Sequence, residues 1–340
     1  MLLMIGFSVF ILSFLLTAGI RKYALKLSLL DIPNHRSAHR LPIPRGGGVA
    51  IAFSFLLAVL LLYQGQLVSV TLTWVLLLSG IFIGVLGLLD DICNIPASYR
   101  ILMHFSTAIL VLYGLGGMPV IKILDYVLPT GIFINILAVV YLVWLLNLYN
   151  FMDGIDGLAG VEALSVCLGG AFLYWLNAND RLMILPLMLA VSVAGFLCWN
   201  FPKARIFMGD VGSGFLGMIL GVLSIQAASI RGQLFLGWLI LLGVFIVDAT
   251  WTLLQRAWRG EKVYEAHSTH AYQQAARVLK SHPKTTCLVL AINVFWLFPL
   301  AVLVECNQIQ PFLGLFVAYI PLVFLAIKLG AGKRENATIS

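Results

Sequence analysis

Charged side chains are scarce in this chain. Asp, Glu, Lys and Arg make up 10% of its 340 residues, against about a quarter of an ordinary soluble domain. That scarcity excludes a water-soluble globular fold. The polar stretches between apolar runs are too short to fold by themselves, so we expect one membrane domain over residues 1–340. Cysteine is sparse as well: Cys93, Cys167, Cys198, Cys287 and Cys306 are scattered, with no CxxC pair or metal-ligand spacing. This excludes a disulfide framework and a thiolate zinc site, and the expectation is free, buried thiols. No basic segment precedes the apolar run 1–20, and Arg21 and Lys22 follow it, the reverse of a secretory signal. We read a retained first span with its N-terminus outside. The net charge of +7 is spread over short loops without a basic, aromatic-interleaved platform, which argues against a nucleic-acid partner. Internal repeats of the kind that many transporters carry are also missing.

What is present is apolar sequence, 61% of residues with a mean hydropathy of +1.01. The expected fold is an all-α polytopic membrane protein with eleven transmembrane helices near 3–20, 47–63, 70–89, 101–114, 132–148, 158–176, 182–199, 211–229, 234–253, 285–304 and 312–327. With the first helix entering from outside, only Lys122, Arg181 and Arg231 of the 21 Lys and Arg residues fall in outer loops. This obeys the positive-inside rule and puts the C-terminus in the cytoplasm. Residues 120–127 alternate enough to form a small outer, periplasmic β-hairpin near 120–130.

The polar clusters fall on the inner face, in loops 21–46, 90–100, 149–158, 200–211 and 254–284. Outer loops hold isolated charges such as Asp125, Asp180 and Glu305. Asn147, Asn150, Asp153 and Asp156 recur every three residues and on a helix would follow one inclined row. Gly154, Gly157 and Gly160 would loosen that helix and admit a ligand close to the backbone. Pro44-Arg45-Gly46-Gly47-Gly48 opens the second span, where backbone amides and Arg45 could hold phosphate, or where the loop is only a basic fringe. Asp90 and Asp91 are adjacent, so on a helix they diverge by about 100° and cannot share one task. Asp210, between glycines at the start of the eighth span, is either a cap or a metal ligand, and the company of the other inner carboxylates favours the metal. His267 and His270 stand at i, i+3 in a basic loop without a third soft ligand, which suits phosphate or sugar better than zinc. Asp248, inside the ninth span, is a site candidate that can also pair with Arg256 or a neighbouring helix.

This set resembles the polyprenyl-phosphate N-acetylhexosamine-1-phosphate transferase family. That family includes the enzymes that begin O-antigen, enterobacterial common antigen and wall teichoic acid synthesis, and the phospho-MurNAc-pentapeptide translocase. The matching stretches are Asp31-Ile-Pro-Asn-His-Arg-Ser with Pro44 to Gly48, Gly87-Leu-Leu-Asp90-Asp91, Asn147 to Gly157, Phe207-Met-Gly-Asp210-Val-Gly-Ser and the His267 to His270 loop. The resemblance implies attack of undecaprenyl phosphate on a UDP-linked N-acetylated amino sugar at the cytoplasmic face of a bacterial inner membrane, with release of UMP. It further implies Mg²⁺, with Mn²⁺ as the alternative ion, on Asp210 and Asn150 with help from Asp90. Asp90, Asp91, Asp210, His267 and His270 become the catalytic set. Arg45 would address pyrophosphate or sugar, Asp153, Asp156 and Phe207 would line the uridine pocket, and Asn147 would support them. The loop Glu265 to Gln273 lacks the adjacent histidines of the peptidoglycan enzyme and is more similar to O-antigen-initiating enzymes. Two other readings compete, a transporter or flippase of lipid-linked sugars and a scaffold of a polysaccharide assembly. Homo-oligomerisation is left open.

Overall fold

Backbone amides in hydrocarbon have no water to bond, so a spanning segment must satisfy them internally, and this chain does so with helices. The computed structural model describes residues 2–26, 30–31, 42–93, 95–123, 126–128, 131–261 and 267–333. The expected roles for loop residues 32–41 and 262–266 lie outside the described residues. In order, the helices are α1 Leu2–Lys26, α2 Gly48–Gln64, α3 Val70–Cys93, α4 Ala97–Gly114, α5 Ile132–Met152, α6 Leu158–Leu176 and α7 Asp180–Asn200. They continue with α8 Asp210–Ala228, α9 Gly232–Leu241, α10 Gly243–Trp258, α11 Ala271–Leu279, α12 His282–Ile292, α13 Phe298–Glu305 and α14 Pro311–Leu329. Two short antiparallel ladders join Leu30–Asp31 to Ile43–Pro44 and Ile121–Ile123 to Tyr126–Leu128.

Every expected span lies on a helix, but eleven crossings do not follow. Among the described residues, eight helical stretches are long and apolar enough to cross a membrane, with α12 and α13 counted as one, or nine if a bent pair forms one span. The ninth expected span is that pair. It breaks at Leu242, and α9 and α10 meet at 69°. The apolar helix α2 has 17 residues, and α4 carries Arg100 and His104 in its first turns. A π turn, Asn293–Leu297, joins α12 to α13.

The centre of the bundle is α8, almost wholly buried and packed on α2, α3, α5 and α9. Small residues permit that approach. A Cβ on Gly48 would lie 2.2 Å from Gly212 Cα, and one on Gly87 would lie 2.5 Å from Val211 Cα. These contacts bring the starts of α2 and α8 and the end of α3 to one end of the bundle. At the opposite end the charges are not isolated as expected. Arg231 Nη1 lies 3.2 Å from Glu305 Oε1, and Asn177 Nδ2 donates to the same oxygen at 2.8 Å. All five cysteines are unpaired, but only Cys167 is buried and the other four are exposed.

Candidate active site

The row from Asn147 to Asp156 does not stay on one helix. Helix α5 ends at Met152, Asp153 is its C-cap, and Gly157 starts α6 with a left-handed φ of 73°. Asn200, buried at the end of α7, fixes this turn by accepting the Gly157 amide at 3.0 Å while its own amide donates to Ile206 O at 2.9 Å. The consequence is a division of labour. Asn147 and Asn150 remain on α5, Asp153 faces the carboxylates of α3 and α8, and Asp156 turns away to within 3.4 Å of His282 Nδ1. Asn147 donates to Val143 O at 2.7 Å and stands 3.5 Å from His104 Nδ1.

Asp90 and Asp91 do point to different partners. Asp90, on the buried side, accepts the Ile95 amide at 2.7 Å and pairs closely with Arg100. Arg100 also reaches Asp210 Oδ2 at 3.4 Å, so one guanidinium from α4 bridges carboxylates of α3 and α8. Asp91 accepts the Asp210 amide at 3.3 Å and stands 3.7 Å from Arg45 Nη1. A side chain of α3, Asp91, therefore engages the first amide of α8, whose own N-cap is Gly209. Asn150 Nδ2 donates to Ser213 Oγ at 3.4 Å and stands beside Asp210. Asp90, Arg100, His104, Asn147, Asn150 and Asp210 together line a small cleft of about 50 Å³.

The glycine turn does not offer its amides to a phosphate. Gly47 and Gly48 donate to Phe207 O and Met208 O at 2.9 and 2.8 Å, while the Phe207 amide donates to Pro44 O at 2.7 Å. Two chain segments are thereby stitched together, leaving Arg45 beside Asp91 and Phe207 half-buried. Asp153 is raised to about 7, first by burial and then by the neighbouring Asp210 and Asp91. Crowded carboxylates of this kind favour a proton or a cation among them.

The donor set can be tested against Mg²⁺ on this geometry. Among the described residues no group of three His, Cys, Asp or Glu side chains is placed to hold a metal. Asp90, Asp210 and Asn150 do meet, however, and the buried Asp91 Oδ2 has no hydrogen-bond partner. These are hard oxygen donors in small number. They fit an ion bound through one or two carboxylates and completed by water and phosphate, which is the habit of Mg²⁺, and they do not form an all-protein cage.

The histidines come from a separate direction. His267 is half-buried, whereas His270 is only 2% exposed and stacks beneath it, with ring centroids 4.7 Å apart. His270 also stacks on Phe151 at the end of α5, and Tyr272 Oη donates to Phe151 O at 3.1 Å. The Thr269 amide donates to His267 Nδ1 at 3.5 Å. Burial, then His270 and Arg256, push His267 down to about 3, so the ring is neutral at pH 7. With Nδ1 accepting, its proton sits on Nε2 as a donor suited to a phosphate oxygen.

Arg100, beyond the expected set, and Asp248, a candidate whose role was open, complete the site. Arg100 had no signal beyond its inner-loop charge. Asp248 does not pair with Arg256, which binds Glu261 at 3.0 Å. Its carboxylate accepts the amides of Ala271 and Tyr272 at 2.8 and 2.9 Å.

Comparison with known proteins gives a consistent answer. Residues 73–228, which carry Asp90 to Asp210, match the model of glycosyl transferase family 4. A Bacillus subtilis protein described as a probable undecaprenyl-phosphate N-acetylglucosaminyl 1-phosphate transferase is 28% identical over 92% of this chain and 87% of its own length. A decaprenyl-phosphate N-acetylglucosaminephosphotransferase from Mycolicibacterium smegmatis is 29% identical over 85% of this chain and 78% of its own. An undecaprenyl-phosphate alpha-N-acetylglucosaminyl 1-phosphate transferase from Thermotoga maritima is 31% identical over 63% and 62%. A match that includes the carboxylates of the cleft, and relatives that align along most of the chain, support the polyprenyl-phosphate N-acetylhexosamine-1-phosphate transferases as the family that this protein is similar to.

Proposed function

We propose that the protein transfers an N-acetylated amino-sugar 1-phosphate from a UDP-sugar to undecaprenyl phosphate on the cytoplasmic face of a bacterial inner membrane. An oxygen of the lipid phosphate bonds to the β-phosphorus, the bond from that phosphorus to the bridging oxygen breaks, and UMP leaves with that oxygen. The observation that carries this reading is the convergence of Asp90, Asn150 and Asp210 with Arg100, and of Asp91 with Arg45 beside them, at one end of an apolar bundle. An apolar groove of about 740 Å³ lies between α4 and α5, walled by Phe105, Ile109, Leu112, Ile136 and Val139, and extends from Phe105 away from the cleft to Gly116 and Ile132. A prenyl tail in that groove would place its phosphate head along α4 beyond Phe105, towards His104 and Arg100 in the cleft. Mg²⁺ held by Asp210 and Asn150 with Asp90 would supply charge neutralisation at the pyrophosphate.

A phosphate dianion needs little help to lose a proton, so the residues are assigned to positioning and electrostatics. Arg45 and His267 address the pyrophosphate, and Asp153 and Phe207 face the nucleotide. Asp156, held by His282, supports the turn more than it lines a pocket. The relatives' names favour N-acetylglucosamine as the sugar, and the loop 265–273 favours an O-antigen or related envelope polysaccharide as the destination. A transporter would need polar groups through the whole membrane thickness, and the bundle interior is apolar apart from pairs such as Glu162 with Asn293.

Purified protein given undecaprenyl phosphate, Mg²⁺ and a panel of UDP-N-acetyl sugars should release UMP from at least one sugar. Asp210→Ala should abolish release while leaving folding intact. Silence of folded wild-type protein toward every sugar would refute the enzyme reading.

A further inference from the structure

The buried carboxylate of Asp248 is engaged by four donors. Besides the amides of Ala271 and Tyr272, Thr252 Oγ1 donates to Oδ1 at 3.1 Å, and His270 Nδ1 lies 3.3 Å from the same oxygen. It is 5% exposed and sits on α10, the inner half of the bent pair. A carboxylate that binds the free amides of a helix start does the work of an N-cap, with the helix dipole adding to it. Here the cap comes from 23 residues away in sequence. It fixes the position of α11, whose own N-cap is His270.

Three consequences lead from this clamp to the site. His270 has Nδ1 against a carboxylate oxygen, so Nδ1 carries the proton and the ring orientation is set. His267 rests face to face on that ring. Tyr272, held by its amide, spans to Phe151 O, and a Cβ on Gly154 would come within 2.1 Å of its hydroxyl. The histidine loop is thus docked on the turn that carries Asp153. Its other ties are Gly332 N to Thr269 O at 2.8 Å and Arg277 to Ser268 Oγ at 2.7 Å.

We infer that Asp248 is a positioning residue for donor binding: by clamping the first amides of α11 and His270 it holds the stacked His267 and His270 rings against Phe151, a wall of the carboxylate cleft. This rests on the proposed transferase reading, in which His267 meets the UDP-sugar. Asp248 touches neither substrate, so its loss acts through the loop.

Asp248→Asn turns one acceptor into a donor facing an amide. The measurement is steady-state UMP release with UDP-N-acetylglucosamine, or whichever panel sugar turns over, together with hydrogen exchange of the α11 amides. The donor KM should rise roughly tenfold or more, as for other buried groups that orient a functional histidine, while the undecaprenyl phosphate KM holds. Exchange at residues 271 and 272 should accelerate. In a double-mutant cycle, Asp248→Asn should add little to His267→Ala, because both act through one imidazole. An unchanged donor KM, or full additivity, overturns the inference. Tyr272→Phe breaks only the far end of the clamp and should give a smaller donor-KM increase in a fully folded protein. If it leaves donor KM unchanged while the Asp248 variant merely fails to fold, the inference also falls. If the wild type turns over no UDP-sugar, the functional reading fails, and the exchange data alone decide whether Asp248 holds α11.

Discussion

At the scale of single residues, the polar groups that interrupt apolar sequence were legible because a membrane makes them costly: Asp90, Asn150 and Asp210 line the cleft, and Asp91 and Asp153 stand near Asp210. What the sequence could not display was their partners. Arg100 reads as one more inner-loop cation, yet it pairs with Asp90 and with Asp210, the latter 110 positions away. Its side chain is 35% exposed, so the pair with Asp210 is partly screened by water, while Asp90 is left buried if the cation is removed. Arg100→Gln should therefore reduce kcat/KM for undecaprenyl phosphate about a hundredfold, the scale typical of losing one electrostatic donor at a reacting phosphate or oxyanion. The UDP-sugar KM should change little. If saturating Mg²⁺ restores wild-type rates to this variant, Arg100 only balances Asp90 and Asp210 and does not serve the acceptor.

At the scale of elements, hydrophobic periodicity located each helix but not where it stops or bends. The Asn-Leu-Tyr-Asn-Phe-Met-Asp-Gly-Ile-Asp-Gly run keeps a three-residue spacing through Asp156, yet the helix ends at Met152 because Asn200 on α7 captures the Gly157 amide. A tertiary contact decides the boundary, and local spacing carries no trace of it. The same holds at Gly46 to Gly48, where amides suited to an anion are taken by Phe207 O and Met208 O. Glycine at 87 has a measurable function of this kind. Its missing Cβ would meet Val211 Cα at 2.5 Å and Asp210 O at 2.6 Å, both backbone atoms that cannot swing aside. Gly87→Ala should lower stability by about 1–3 kcal/mol, the usual range for overpacking, seen as a lower midpoint of thermal unfolding in detergent. Activity should fall further than stability, since α8 can yield only by carrying Asp210 away from Asp90. A wild-type melting curve with wild-type turnover would mean that α3 and α8 separate freely.

At the scale of the molecule, composition alone made this a multi-pass membrane protein, and the eight to nine long apolar helices agree. Orientation is a different matter, because it rests on the Lys and Arg bias of the loops and on nothing in the packing. The bundle provides its own reporters. Cys93, exposed at the end of α3, lies at the end that holds the carboxylate cleft, and Cys306, exposed after α13, lies beside the Glu305 and Arg231 pair at the other end. In variants that retain only one of these cysteines, a membrane-impermeant maleimide should label Cys306 in intact spheroplasts. Cys93 should react only in inverted vesicles or after permeabilisation. The reverse pattern would place the cleft outside, beyond the reach of cytoplasmic UDP-sugars, and would contradict the assigned donor even if UMP release were seen in detergent. The expected pattern follows from an asymmetry of the bundle: on the proposed reading phosphates meet at the end where Asp90, Arg100 and Asp210 compensate one another, while the other end carries the Arg231 and Glu305 pair.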